Sequence, residues 1–121
     1  QEKGATPILL SLTPRNEWHE GNGHPRGFIY PVREKKGKKY IERRNEPYGV
    51  WYRDVAQETV CQFVDVHNIS ANVLDKVGEK KAAAYFNHDH THTSLKGARL
   101  TVQSVAMGLR AIGSPEAEYL K

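Results

Sequence analysis

Pro7-Ile8-Leu9-Leu10-Ser11-Leu12 is a nearly unbroken apolar run in a chain that is only 38% hydrophobic. A strand covered on both faces reads this way, as in a parallel sheet sandwiched by helices. A second run of the same kind follows at Phe63-Val64-Asp65-Val66-His67. Between them Tyr52, Val55, Ala56, Thr59 and Val60 fall at helical spacing and predict a helix over about Val50 to Cys61. Strand, helix, strand in that order implies a parallel pair. Asn68-Ile69-Ser70 then reads as a turn with Ser70 as N-cap. Val73, Leu74, Val77, Ala84 and Tyr85 predict a second amphipathic helix. The last helix is capped by Ser94 and ended by Gly113 and Pro115, with Val102, Val105, Ala106, Leu109 and Ile112 inward. The expected fold class is α/β, a partial parallel sheet flanked by helices. Two strands are too few for a sheet buried on both faces, so further strands are expected from elsewhere.

Thr13-Pro14-Arg15-Asn16 breaks the first run. Sites in open α/β sheets lie beyond the carboxyl ends of the strands, so Arg15, Asn16 and Trp18 are candidate substrate-binding residues. The stretch from Glu20 to Arg26 is rich in Gly and Pro. Phe28, Tyr30 and Val32 alternate with other residues, and Tyr40-Ile41 lies past a charged tip at Gly37, which suggests a hairpin-like excursion. Pro47 and Gly49 are read as closing it.

Charge is concentrated there. Arg33, Lys35, Lys36, Lys38, Lys39, Arg43 and Arg44 are offset by Glu34, Glu42 and Glu46, and the difference equals the net charge of +4. The excursion therefore suits an anionic partner or a solvated face. Nucleic acid is not expected, because no recognised motif is present and no aromatics interleave with the basic residues. No apolar run is long enough to span a membrane as a helix. The single cysteine, Cys61, allows no internal disulfide and is expected to be a small buried hydrophobe. At 121 residues the chain is one domain at most. It starts at Gln1 and its one Met is Met107, which suggests a cut or processed start, with Gly4 ending a helix that came before.

The chemistry concentrates in Asn87-His88-Asp89-His90-Thr91-His92-Thr93-Ser94, which holds three of the six histidines. Residue types and spacing leave three readings open. Asp89 three residues before His92 is a spacing at which a carboxylate can accept a hydrogen bond from imidazole Nδ1 and leave Nε2 as a general base. His88, His90 and His92 alternate, so an extended segment would place them on one face as metal ligands. The third reading is a polar, solvated loop.

The block from Asp89 to Ser94, followed by Gly97-Ala98 and a terminal amphipathic helix, resembles the last block of the GDSL-type (SGNH) hydrolases, within them the rhamnogalacturonan acetylesterase branch. The runs from Thr6 to Arg15 and from Phe63 to Ser70 fit the same family as late sheet strands. The resemblance implies ester hydrolysis on a three-layer, flavodoxin-like fold, with His92 as base and Asp89 as its orienter. His90 and Thr91 are then spacers that shape the loop, and no metal or cofactor is expected. It further implies an acetylated acidic polysaccharide as substrate and a secreted or periplasmic protein. The family's Gly-Asp-Ser motif is missing, as are its oxyanion-hole Gly and Asn blocks, and Ser11, Ser70, Ser94, Ser104 and Ser114 stand in other contexts. Residues 1–121 are therefore expected to be a single fragment, the C-terminal half of such a domain. Its partner would be the missing N-terminal half, and its free sheet edges invite self-association. The competing expectation is a non-catalytic carbohydrate-binding module that uses Trp18, Trp51 and the basic tip.

Overall fold

The computed structural model describes residues 4–20, 37–43 and 46–120. The alternating Phe28, Tyr30 and Val32 and most of the basic excursion lie outside the described residues. The chain is α/β: a small parallel sheet flanked by helices, with a second, antiparallel ribbon beside it. β1 (Ile8–Leu10) pairs in parallel with β4 (Gln62–Val64), Ile8 opposite Gln62 and Leu10 opposite Val64. The ribbon pairs β2 (Trp18–Glu20) with β3 (Lys39–Ile41), Trp18 opposite Ile41. The expected parallel pair is thus present. β2 escaped notice because Trp18-His19-Glu20 has no apolar alternation, and only its pairing with β3 makes it a strand.

α1 (Glu46–Glu58) packs on both strands of the parallel sheet. It starts four residues before the expected Val50, so Pro47 opens the helix, where its missing N–H costs nothing, and does not close the preceding loop. Its C-terminus is a Schellman motif: Cys61 N–H donates to the Ala56 carbonyl at 2.8 Å and Val60 N–H to that of Gln57 at 3.3 Å. The motif places Val60 at φ 55°, a left-handed conformation that suits Gly and strains a β-branched residue. Cys61 just beyond is partly exposed and not buried as expected, with Thr59 Oγ1 3.1 Å from its Sγ.

β4 ends sooner than the sequence suggests. Val66 and His67 belong to α2 (Val66–Val77), and the cap is Asp65, not Ser70. Asp65 Oδ1 accepts from Asn68 N–H at 3.1 Å, and Asp65 Oδ2 accepts from the Asn68 amide at 2.8 Å. Ser70 is instead buried, its hydroxyl donating to Ser104 at 2.8 Å. The expected second helix is two pieces, because Gly78 at φ 83° ends α2 and α3 (Glu79–Ala82) starts afresh, running into a 3₁₀ turn at Ala83–Tyr85.

α4 (Leu95–Ala111) is capped by Ser94, as expected. Its inner face is rotated from the expected one: Gly97, Leu100, Ser104, Gly108 and Leu109 are buried, whereas Val102 and Ile112 are exposed. Small residues on this face allow close approach. A Cβ on Gly108 would overlap Val64, and one on Gly97 would overlap the Tyr85 carbonyl. Pro115 opens a further 3₁₀ turn, Pro115–Tyr119.

Two apolar clusters hold these parts. Val64, Val66 and Leu109 join the sheet to α4. Ile41, Ala71, Leu74, Ala82, Phe86 and Leu100 join the ribbon, α2 and α4. Each large buried aliphatic or aromatic side chain contributes roughly 1.5–3 kcal/mol. Arg43, read from sequence as part of an outward basic run, lies in this second region. Its guanidinium donates to Asp75 at 2.7 Å, Asn72 at 3.2 Å and the Ile41 carbonyl at 3.2 Å. Asp75 also accepts the Ile41 N–H at 2.8 Å, so one carboxylate fastens the ribbon to α2. Among the described residues, no helix is long and apolar enough to cross a membrane.

Candidate active site

The block singled out from the sequence is a pinched loop between the 3₁₀ turn and α4. Phe86, buried at one end, bridges Thr93 at the other. Asn87 N–H donates to the His92 carbonyl at 2.8 Å, and the Asn87 amide to that of Thr93 at 3.0 Å. Ser94 closes the neck: its N–H donates to the Tyr85 carbonyl at 3.0 Å, and its hydroxyl donates to that of Ala84 at 2.8 Å. The same hydroxyl accepts Gly97 N–H at 3.3 Å as the helix cap. The residues between His88 and His92 form a succession of bends, so the three histidines do not share one extended face.

Inside the pinch Asp89 faces His92. Its Oδ1 accepts the backbone N–H groups of Thr91 and His92, each at 2.7 Å. Its Oδ2 lies 2.7 Å from His92 Nδ1. The His92 and Thr91 N–H groups and the His92 ring hold the Asp89 carboxyl well below the usual carboxylate range, so it is ionised. An ionised carboxylate only accepts, so Nδ1 carries the proton and Nε2 presents a lone pair. The His92 side chain is 77% exposed and Asp89 45%, so the lone pair is open to an incoming group.

The three candidate binding residues divide. Asn16 is tied to the loop, its N–H donating to the His90 carbonyl at 2.8 Å, and its side chain accepts the Trp18 indole N–H at 2.9 Å. Trp18 packs against the second apolar cluster, so its ring is partly committed to the core. Arg15 is partly buried on the same connection. His90 does more than space the loop: its carbonyl holds Asn16 and its Nε2 stands 3.7 Å from Glu17 Oε1.

None of the five serines is aimed at His92. Ser94 is the helix cap, Ser70 and Ser104 bond to each other in the core, and the Ser114 hydroxyl lies between the side-chain oxygens of Gln62 and Glu116, which share its one proton. Ser11 stands in a Ser, Asp, His cluster that sequence reading passed over, donating to Asp65 Oδ1 at 3.1 Å. The ring of His67 is turned away from it: only the His67 backbone N–H reaches Ser11 Oγ, at 2.9 Å, while Nδ1 donates to the Leu12 carbonyl at 3.1 Å. Burial, then the nearby Arg43 charge, lowers the His67 pKa to about 4. This cluster fastens β1 to the start of α2 and is no base–nucleophile pair.

Among the described residues, potential metal-ligand atoms converge at Glu17, His19 and Glu42, all within 4.8 Å of one another. The sequence signal was weak: Glu17 and His19 share one face of a strand, but Glu42 joins them only through the ribbon's register.

No family model matches the chain, and no solved structure does. Two curated proteins are similar to it. A probable rhamnogalacturonan acetylesterase of Bacillus subtilis is 28% identical over 99% of this chain and 49% of its own length. A rhamnogalacturonan acetylesterase of Emericella nidulans is 26% identical over 85% of this chain and 35% of its own length. The chain therefore spans about half the length, or less, of the curated relatives it matches. It is similar, over most or nearly all of its residues, to proteins of the branch that its Asp89–Ser94 block resembles.

Proposed function

We propose that this chain supplies the Asp–His part of a serine esterase that removes acetyl groups from an acidic plant cell-wall polysaccharide of the rhamnogalacturonan type. The observation that carries this is the contact of Asp89 with His92 Nδ1, which leaves an exposed Nε2 lone pair on a loop closed at both ends. The similarity to rhamnogalacturonan acetylesterases supports the substrate class.

In this reading His92 Nε2 takes the proton of a serine hydroxyl as the oxygen attacks the acetyl carbonyl. It returns the proton to the departing sugar oxygen, then repeats both steps with water to release acetate. Asp89 holds the tautomer and stabilises the imidazolium. The serine and the oxyanion donors come from a complementary segment, since each serine described above is engaged elsewhere. That segment also covers exposed apolar groups such as Leu10 and Leu12 beside the β1 edge.

The chain alone is expected not to hydrolyse an aryl acetate or an acetylated pectin fragment above background. Joined to a Gly-Asp-Ser-bearing segment encoded upstream, it should turn both over, and His92→Ala should lower kcat by about 10⁶. Turnover by the chain alone would show that one of its own serines is the nucleophile. A second reading, a carbohydrate-binding module, is favoured by Trp51, 61% exposed on α1 with Tyr48 edge-on at 5.1 Å. An inactive joined protein that still binds the pectin fragment, and stops doing so on Trp51→Ala, would favour it.

A further inference from the structure

The β2–β3 ribbon carries an arrangement that ester hydrolysis does not use. One step beyond the paired strands, Glu42 N–H donates to the Glu17 carbonyl at 2.7 Å, which sets the two glutamates opposite each other. Two carboxylates directly across a ribbon repel, and such pairs destabilise it. Neither is a freely solvated surface group, because Glu17 is partly buried and the Glu42 side chain is 12% exposed. His19 lies two residues from Glu17 and so on the same face. Its Nε2 is 3.7 Å from Glu42 Oε1. From the other side the loop brings His90 Nε2 to 3.7 Å from Glu17 Oε1. Two carboxylates and two imidazoles thus meet where the ribbon touches the loop.

We propose that Glu17, His19 and Glu42 bind a divalent transition-metal cation of the zinc class. Donor chemistry supports this, since imidazole with carboxylate suits zinc better than it suits calcium or magnesium, which take oxygen alone. Metal–ligand bonds of about 2.0–2.1 Å place tetrahedral ligands about 3.3 Å apart, so the three ligand atoms, within 4.8 Å of one another and with His19 Nε2 and Glu42 Oε1 at 3.7 Å, must draw together to close on an ion. A cation bound there would stiffen the end of the ribbon that Asn16 N–H already ties to the His90 carbonyl. The role is structural. The metal lies on residues other than the Asp89–His92 pair, whose Nε2 remains free for proton transfer.

The test is a titration of the chelator-treated full chain with zinc chloride alone, followed by calorimetry and by the imidazole ¹⁵N resonances. One zinc per chain is expected, with the His19 resonance shifting first. His19→Ala and Glu42→Gln should each weaken binding at least about tenfold, and His88→Ala should leave it unchanged. The wild-type resonances decide the matter even if a variant folds poorly. Absence of saturable binding overturns the proposal. So does a shift confined to His88 and His92, which would assign the metal to the loop. Either failure leaves the esterase reading standing, because hydrolysis in the joined protein is measured without zinc.

Discussion

Two aspartates in this molecule hold a cationic or ring partner at the same 2.7 Å, and they do opposite work. Asp75 grips Arg43 across 32 residues, and both side chains are nearly buried. Asp89 grips His92 across three residues in open solvent. The buried pair joins two elements that would otherwise separate, and each charge there depends on the other for its solvation. The exposed carboxylate bonds only within its own loop, to the Thr91 and His92 N–H groups and to the His92 ring, whose tautomer it fixes. Contacts of one length therefore differ in consequence according to what they exclude from water and what they leave open.

Replacing each aspartate by asparagine tests the contrast most strongly. Asp89→Asn in the joined, active protein should lower kcat by about 10⁴, because an amide that donates to Nδ1 stabilises the wrong tautomer. Its unfolding midpoint should move far less than that of Asp75→Asn, because the amide oxygen can still accept the Thr91 and His92 N–H groups. Asp75→Asn should do the reverse. It leaves Arg43 buried without a counter-charge and should cost about 3–5 kcal/mol in denaturant unfolding, whatever the activity of the molecules that still fold. If Asp75→Asn proves neutral, the ribbon is held to α2 by the Ile41 cluster alone.

A third measurement sharpens the same division with a histidine. His67 is buried and its pKa lies at about 4, below the ordinary 6.5. Between these values the unfolded chain binds a proton that the folded chain refuses, so stability falls as pH falls through that window. The loss approaches about 3 kcal/mol at its acid end. His67→Asn, whose amide can still donate to the Leu12 carbonyl, should flatten the profile between pH 6.5 and 4. The smallest effect lies at the end of α1. Val60→Gly should stabilise the chain by about 0.5–1 kcal/mol in thermal or denaturant unfolding, because the Schellman motif requires a positive φ that valine adopts under strain. Val60→Ala would gain less, since it keeps the Cβ.

Much of the architecture was legible because it is local. The apolar runs Pro7–Leu12 and Phe63–His67 announce strands by composition, and the helix between them makes the pair parallel. Ser94 announces the start of α4 because a cap acts within one turn. Asp89 and His92 are three residues apart, so their contact needed only a tight loop. What was misread involves partners remote in the chain. Val66-His67 has the composition of a strand, yet it is helix, because Asp65 caps it and Ser11 receives the His67 N–H. The inward face of α4 was assigned to its large residues, whereas Gly97, Ser104 and Gly108 face inward, since close approach to Tyr85 and Val64 leaves room for nothing larger. Arg43 looked like one more surface charge until Asp75 and Asn72, about thirty residues on, closed around it. Glu17, His19 and Glu42 are unremarkable in order and adjacent in space, because the ribbon's register sets two carboxylates face to face. Sequence determined which segments could be strand, helix or reactive loop, since those preferences act over a few residues. Tertiary structure decided which polar groups are buried and paired, because that depends on what the rest of the chain brings against them.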